Sequence, residues 1–178
     1  MPGADKRAEP WLRGSVPGIP PLLQPAAHAF LLAREDIDAA LAGVTSAELW
    51  LEPNGVASLG FHLFHLAGST DRLLTYARGD TLSEAQRDAL GRERTLTEFR
   101  PSLEQLLDGW HSAVEAALTQ LATTQESALL EHRGVGRAQM PSNVLGLLLH
   151  AAEHAARHAG QVVTTAKLIR GQRPEVGP

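Results

Sequence analysis

The sequence predicts an all-α protein, a four-helix bundle preceded by an extended arm rich in Pro and Gly. Three observations carry that expectation. Four stretches of roughly 18–28 residues repeat apolar side chains at three- and four-residue steps, the spacing that gathers them on one side of a helix. Capping residues stand where several of these stretches begin, and Gly where several end. No run alternates with period two for long enough to predict a strand. Helices of that number and length bury their apolar faces against one another, which is the bundle solution.

Residues 1–25 form the arm. Pro10, Pro17, Pro20, Pro21 and Pro25 with Gly14 and Gly18 forbid a regular helix or a central strand there. Trp11, Val16, Ile19 and Leu23 lie among them, so the segment is expected to pack in extended form along the domain. Residues 26–173 are the bundle. The first helix runs from Ala26 to Gly43, with Phe30, Ala33, Ile37 and Leu41 on its stripe. Pro53-Asn54-Gly55 is a turn. Ser58 caps a second helix reaching about Ala77 and stopped by Gly79, and its expected buried stripe is Phe61, His65, Leu66, Ser69, Leu73 and Tyr76. Ser83–Leu90 has room for two helical turns, and Gly91–Arg94 reads as exposed loop. A third helix starts at Ser102 with a Gln105 capping box, and its stripe of Leu103, Leu106, Trp110, Val114, Ala117 and Leu121 keeps a 3.6-residue period. Glu126–Pro141 reads as a long connection. Ser142 is expected to cap the last helix, which continues to Gly171 and is narrowed by Ala151, Ala152, Ala155, Ala156 and Ala159.

A chain of 178 residues and 19.1 kDa suits one domain. Its 16 Lys and Arg against 20 Asp and Glu leave a formal charge of −4 without any basic block, which argues against nucleic acid as a partner. There is no Cys, so disulfides, thiolate metal sites and a catalytic cysteine are excluded in this chain. Met1–Arg13 has no apolar core of signal-peptide length, and no run reaches transmembrane length. A soluble, cytoplasmic protein with no membrane partner is the expectation.

The histidines are the feature to explain. Five of the eight, His62, His65, His150, His154 and His158, fall in two short segments that together cover about 13 positions, where random placement puts fewer than about one. Residues four apart on a helix differ by about 40° and one turn, so the rings of His154 and His158 can reach one point. With His150 the three span about 12 Å, too far for one ion, so two adjacent members form the natural pair. Alone, such a pair is as readily an ordinary surface pair. A His from the second helix, with His65 on the apolar stripe, adds a third neutral nitrogen donor. Bundle metal sites are built in this way from neighbouring helices, and three histidines leave a coordination position open. His28, His111 and His132 read instead as core-edge residues bonded to a carbonyl or water.

The segment Ser58-Leu-Gly-Phe-His-Leu-Phe-His65-Leu-Ala-Gly-Ser, followed by His154-Ala-Ala-Arg-His158-Ala-Gly-Gln161, resembles the DinB/YfiT-like superfamily. The His-x-x-x-His-x-Gly-Gln spacing is the more specific half, and the likeness extends over roughly residues 22–171. It implies an up-down-down-up bundle, often a homodimer, holding one divalent ion. The ligands it implies are His65, His154 and His158. Zn or Ni is the implied metal, and some relatives use a low-molecular-weight thiol as cosubstrate. His62 and His150 match no general ligand position of the family and are expected as second-sphere or pocket residues. Helix geometry adds Ser69, Arg72 and Tyr76 on the face of His65, and Gln161 one turn after His158, as second-sphere or pocket candidates.

These residues point to a metal-dependent enzyme with a small-molecule substrate, a thiol-dependent S-transferase ahead of a hydrolase. A thiol nucleophile has to arrive as cosubstrate, because the chain has none. The alternative is a non-catalytic metal-binding or sensory dimeric bundle, favoured if the protein itself closes the fourth coordination position. Substrate choice is expected to lie in the arm, in residues 80–96 and in residues 126–141, none of which carries a readable motif.

Overall fold

The computed structural model describes residues 8–172. It is mostly helical. The long helices are α1 (Gln24–Leu41), α2 (Leu59–Arg78), α5 (Leu103–Thr123) and α6 (Val144–Gly171). Two short helices, α3 (Glu84–Arg92) and α4 (Leu96–Phe99), lie between α2 and α5. Each of α1 and α2 packs against both α5 and α6, so the four long helices share one core. Phe30 and Ile37 of α1, Leu59, Leu63 and Leu66 of α2, Trp110 and Val114 of α5, and Leu148 and Val162 of α6 are fully or almost fully buried in it. Each such side chain stabilises the fold by about 1.5–3 kcal/mol relative to exposure.

Local chemistry explains where the helices begin and stop. The Ser58 hydroxyl accepts from the Phe61 amide at the start of α2, and Gly79 ends the helix in the left-handed region at φ 87°. Ser83 with Gln86 and Ser102 with Gln105 form reciprocal capping boxes at α3 and α5. The cap of α6 is Asn143, whose side chain accepts from the Gly146 amide, rather than the expected Ser142. Asn143 is the last residue of the strand that leads into the helix, and its extended backbone, φ −140° and ψ 173°, makes it the cap.

That strand was not expected. Within the 126–141 connection, β1 (His132–Val135) pairs antiparallel with β2 (Met140–Asn143), with His132 opposite Asn143 and Val135 opposite Met140. Four residues on each side are too few to establish an alternation in sequence, and the turn is made by Gly136 and Gln139 at positive φ. The Arg133 guanidinium anchors the hairpin, its Nε donating to the Ala77 carbonyl near the end of α2 at 2.9 Å.

The buried stripe of α2 is also shifted. Leu66 and Ser69 are buried as expected, but Phe61, His65, Leu73 and Tyr76 are half-buried, while Leu59, His62, Leu63, Thr70 and Leu74 are buried. A helix packed against two others buries a wider face than a single stripe, and its centre is set by both neighbours. Residues 91–94 differ from the expected loop as well. α3 continues to Arg92, and Glu93 turns inward with its side chain 10% exposed.

Of the arm, residues 8–23 are described, and Met1–Arg7 lie outside the described residues. It contains single 3-10 turns at Pro10–Leu12 and Pro21–Leu23, so it is not extended throughout. Pro10, Ile19 and Leu23 are buried, and the Gln24 amide holds the backbone of Val16 and Ile19. Among the described residues no helix is long and apolar enough to cross a membrane.

Candidate metal centre

Two helix faces meet at the histidines. α2 supplies His62 and His65, one turn apart, and α6 supplies His154 and His158 from a face where Ala151, Ala155 and Ala159 are buried. The methyl side chains of these alanines leave room for imidazoles between the helices. The His154 and His158 rings lie 4.5 Å apart between centroids, and the His65 ring is 4.8 Å from His158 and 5.1 Å from His154. One ring nitrogen from each of His65, His154 and His158 falls within 4.8 Å of the others. These three histidines can hold a metal ion.

Their outer nitrogens decide how they face. His65 Nδ1 lies 2.8 Å from Glu93 Oε2, and an ionised carboxylate only accepts, so Nδ1 carries a hydrogen and Nε2 is the ring atom left to face the centre. That Nε2 lies 3.0 Å from His154 Nε2. Two imidazole nitrogens hold such a distance either by sharing one proton or by facing a common cation. His158 Nδ1 lies 3.0 Å from His62 Nδ1, which leaves the Nε2 atom of His158 for the centre. Two of the three candidate ligands thus have the outer-sphere partner that metal-bound histidines require to fix tautomer and ring orientation. The Phe61 ring stacks against His65 at 5.7 Å with planes 5° apart, a second restraint on that ring.

Burial favours the neutral form of His62, His154 and His158. Burial, with neighbouring imidazoles adding to it, pushes His158 down to about 4, and burial with His65 alongside pushes His62 to about 4. Burial is also the main cause lowering His154. At neutral pH these rings therefore offer lone pairs rather than positive charge. Glu93 is lowered too: burial alone raises it, but the His65 hydrogen bond and the charge and hydrogen bond of Arg72 together outweigh burial. Arg72 Nη2 lies 2.8 Å from Glu93 Oε1. Its Nη1 lies where a Cβ on Gly68 would come within 2.8 Å, so the guanidinium folds back over a residue that has no side chain.

The remaining candidates fall in different places. His62 is buried and touches His158. Gln161 lines a cavity of about 510 Å³ together with His62 and Arg157. Arg72 reaches the histidines through Glu93. Ser69 donates its hydroxyl to the Leu66 carbonyl of its own helix. Tyr76 lines another cleft, eleven residues and about 16 Å of helix beyond His65. His150 is exposed, with Nδ1 3.4 Å from Glu153. His28 donates from Nε2 to the Gly14 carbonyl, as expected, whereas His111 pairs with the Asp38 carboxylate instead of a carbonyl or water. The functional residue that sequence reasoning missed is Glu93. It sits in Gly91-Arg92-Glu93-Arg94, where no period marks one residue as inward, and its only local signal is the capped helix that leads up to it.

The DinB superfamily model matches residues 29–162, three quarters of the chain. The chain belongs to the DinB superfamily. Among solved structures, this DinB-superfamily chain is similar to a conserved protein of locus from Enterococcus faecalis, with 19% identity and a TM-score of 0.65. That alignment covers 84% of this chain and 98% of the other. At that identity the likeness shows a shared fold. No curated protein matches the chain significantly.

Proposed function

We propose that this DinB-superfamily protein is a divalent-metal-dependent enzyme acting on a small molecule, with Zn or Ni held by His65, His154 and His158 and one coordination position open. The observation that supports it is the convergence of three imidazoles, two of which have their outer nitrogens already occupied by Glu93 and His62. The reading includes the up-down-down-up bundle, a homodimer and a cytoplasmic location. When bound, the ion supplies Lewis acidity that brings the pKa of a water or thiol toward neutrality.

The chain's own residues supply the rest. Glu93 accepts from His65 Nδ1 and raises the basicity of that ring, and Arg72 keeps Glu93 ionised and in place. His158 donates from Nδ1 to His62 Nδ1, the arrangement that leaves the His158 Nε2 lone pair for the ion. The cavity bordered by His62, Gln161 and Arg157 gives a substrate access beside the centre. Because the chain has no Cys, a thiol nucleophile enters as a low-molecular-weight cosubstrate, and S-transfer is placed ahead of hydrolysis.

A second reading rests on the closeness of His62 to His158. If His62 turned to the ion as a fourth ligand, the centre would be closed and structural or sensory. Elemental analysis of the untagged protein beside a His65/His154/His158→Ala variant tests the site, with one ion per chain expected in the first and none in the second. His62→Ala separates the readings. Loss of the ion as complete as in the triple variant supports the closed centre. A retained ion, together with turnover in thiol-transfer or hydrolase screens, supports the enzyme.

A further inference from the structure

A second cleft lies away from the histidines. At about 810 Å³, it lies between the C-terminal end of α2, the α3 segment and the hairpin, and its volume is in the range of small-molecule sites. Arg87, Arg94, Arg133 and Arg137 line it, and Asp80 is the single acidic residue among its lining side chains. This concentration of positive charge belongs to a chain whose overall formal charge is −4. A concave wall of one sign focuses the field and favours a counter-charged ligand over the rest of the surface.

The four arginines are not equivalent. Arg133 is held as part of the wall, donating to the Ala77 and His132 carbonyls and to Glu131. Arg87 donates to the Leu82 carbonyl. The side chains of Arg94 and Arg137 make no hydrogen bond or ion pair with any described residue, and both are exposed at the cleft. Two guanidiniums with all their donors free, approaching one cavity from α3's end and from the hairpin turn, are suited to bidentate bonds with carboxylate or phosphate oxygens. Asp80 opposes them weakly, since Arg78 Nε already lies 3.2 Å from its carboxylate. Tyr76, Leu82 and Leu90 supply an apolar wall beside this charge, and the Tyr76 hydroxyl has no hydrogen-bond partner among the described residues.

We propose that this cleft binds a small organic anion, an aromatic or apolar body carrying a phosphate or carboxylate, with Arg94 and Arg137 on the anionic group and Tyr76, Leu82 and Leu90 against the body. The site is independent of the histidines, and the proposal stands whether or not they hold a metal. Calorimetric titration with 1-naphthyl phosphate tests it on the full chain carrying His154→Ala, which removes the candidate metal centre from the measurement. Titration with 1-naphthoate distinguishes phosphate from carboxylate, and 1-naphthol and inorganic phosphate separate the apolar from the anionic contribution.

Saturable binding is expected for at least one of the two naphthyl anions. It should weaken at least about tenfold in Arg94→Ala/Arg137→Ala and by less than about twofold in Arg34→Ala/Lys167→Ala, which removes the same charge elsewhere. Naphthol and inorganic phosphate should each bind more weakly than that anion. Absence of saturable binding by either anion overturns the proposal. So does equal weakening in both double variants, which would assign the effect to the overall field of the protein.

Discussion

The histidine centre and the arginine cleft share α2 and differ in almost every other respect. The centre is assembled from mid-helix positions on α2 and α6, and its side chains are buried or half-buried and bonded to one another or to Glu93. The cleft is assembled from helix ends and a hairpin, and two of its four cations are exposed without partners. Burial accounts for the contrast. A polar group taken out of water favours a partner, so most of the centre's polar atoms are bonded before any ligand arrives, Arg72 Nη1 being an exception. An exposed guanidinium keeps its water and can remain free until an anion displaces it. Orientation is therefore built into the first site, and electrostatic attraction into the second.

The largest expected effect breaks one side of this contrast. His154→Ala should abolish stoichiometric metal uptake while far-ultraviolet circular dichroism shows the helices intact, because His154 is half-buried and lies on the edge of the core. Metal retained at one ion per chain would contradict the assigned centre. Arg94→Ala/Arg137→Ala, by contrast, should leave metal affinity unchanged. A parallel loss there would show that the two sites are coupled.

Glu93→Gln comes next. The amide keeps the size of the side chain but loses the charge that holds His65 Nδ1, and it should lower metal affinity about 10–100-fold in a competition titration. An affinity within twofold of the native protein would demote Glu93 to a merely structural contact.

The neutral, buried imidazoles also make an acid-sensitive fold. His62 and His158 lie at about 4 when folded against 6.5 ordinarily, so the unfolded chain binds more protons between those values. Stability of the metal-free protein should fall as pH drops from about 6.5 to about 4, by on the order of 3 kcal/mol for His62 alone. Glu93 adds a later loss, below its ordinary 4.5, because its folded value is depressed and its contribution disappears only as that lower value is passed. Urea denaturation at several pH values measures both, and a flat profile from pH 7 to 4 would contradict the buried network.

The smallest expected effect is the sharpest probe of outer-sphere support. Gly68→Ala places a methyl 2.8 Å from the flexible end of Arg72, which must shift and loosen Glu93. Metal affinity should fall a few-fold while helix stability holds or rises by up to about 1 kcal/mol, since Ala outranks Gly inside a helix. Loss of stability together with loss of affinity would show that the methyl disturbs the backbone rather than the guanidinium.

Much of this protein was determined by sequence alone because its decisive interactions are local. A Ser cap reaches three residues, a stripe repeats within four, and an i, i+4 histidine pair is fixed by the pitch of its own helix. Ser58, Ser102, Gly79 and the His154/His158 pair could all be placed in this way. Tertiary structure decided what depends on distant segments. It set the buried face of α2, which two packing partners share, and put Asn143 at the start of α6 by ending the hairpin there. It brought His62 of α2 to His158 of α6, turned Glu93 from an apparent loop onto His65, and closed the arginine cleft with a hairpin too short to announce itself. Helical periodicity records which residues share a face of one helix, whereas contacts between segments are fixed only when the chain packs.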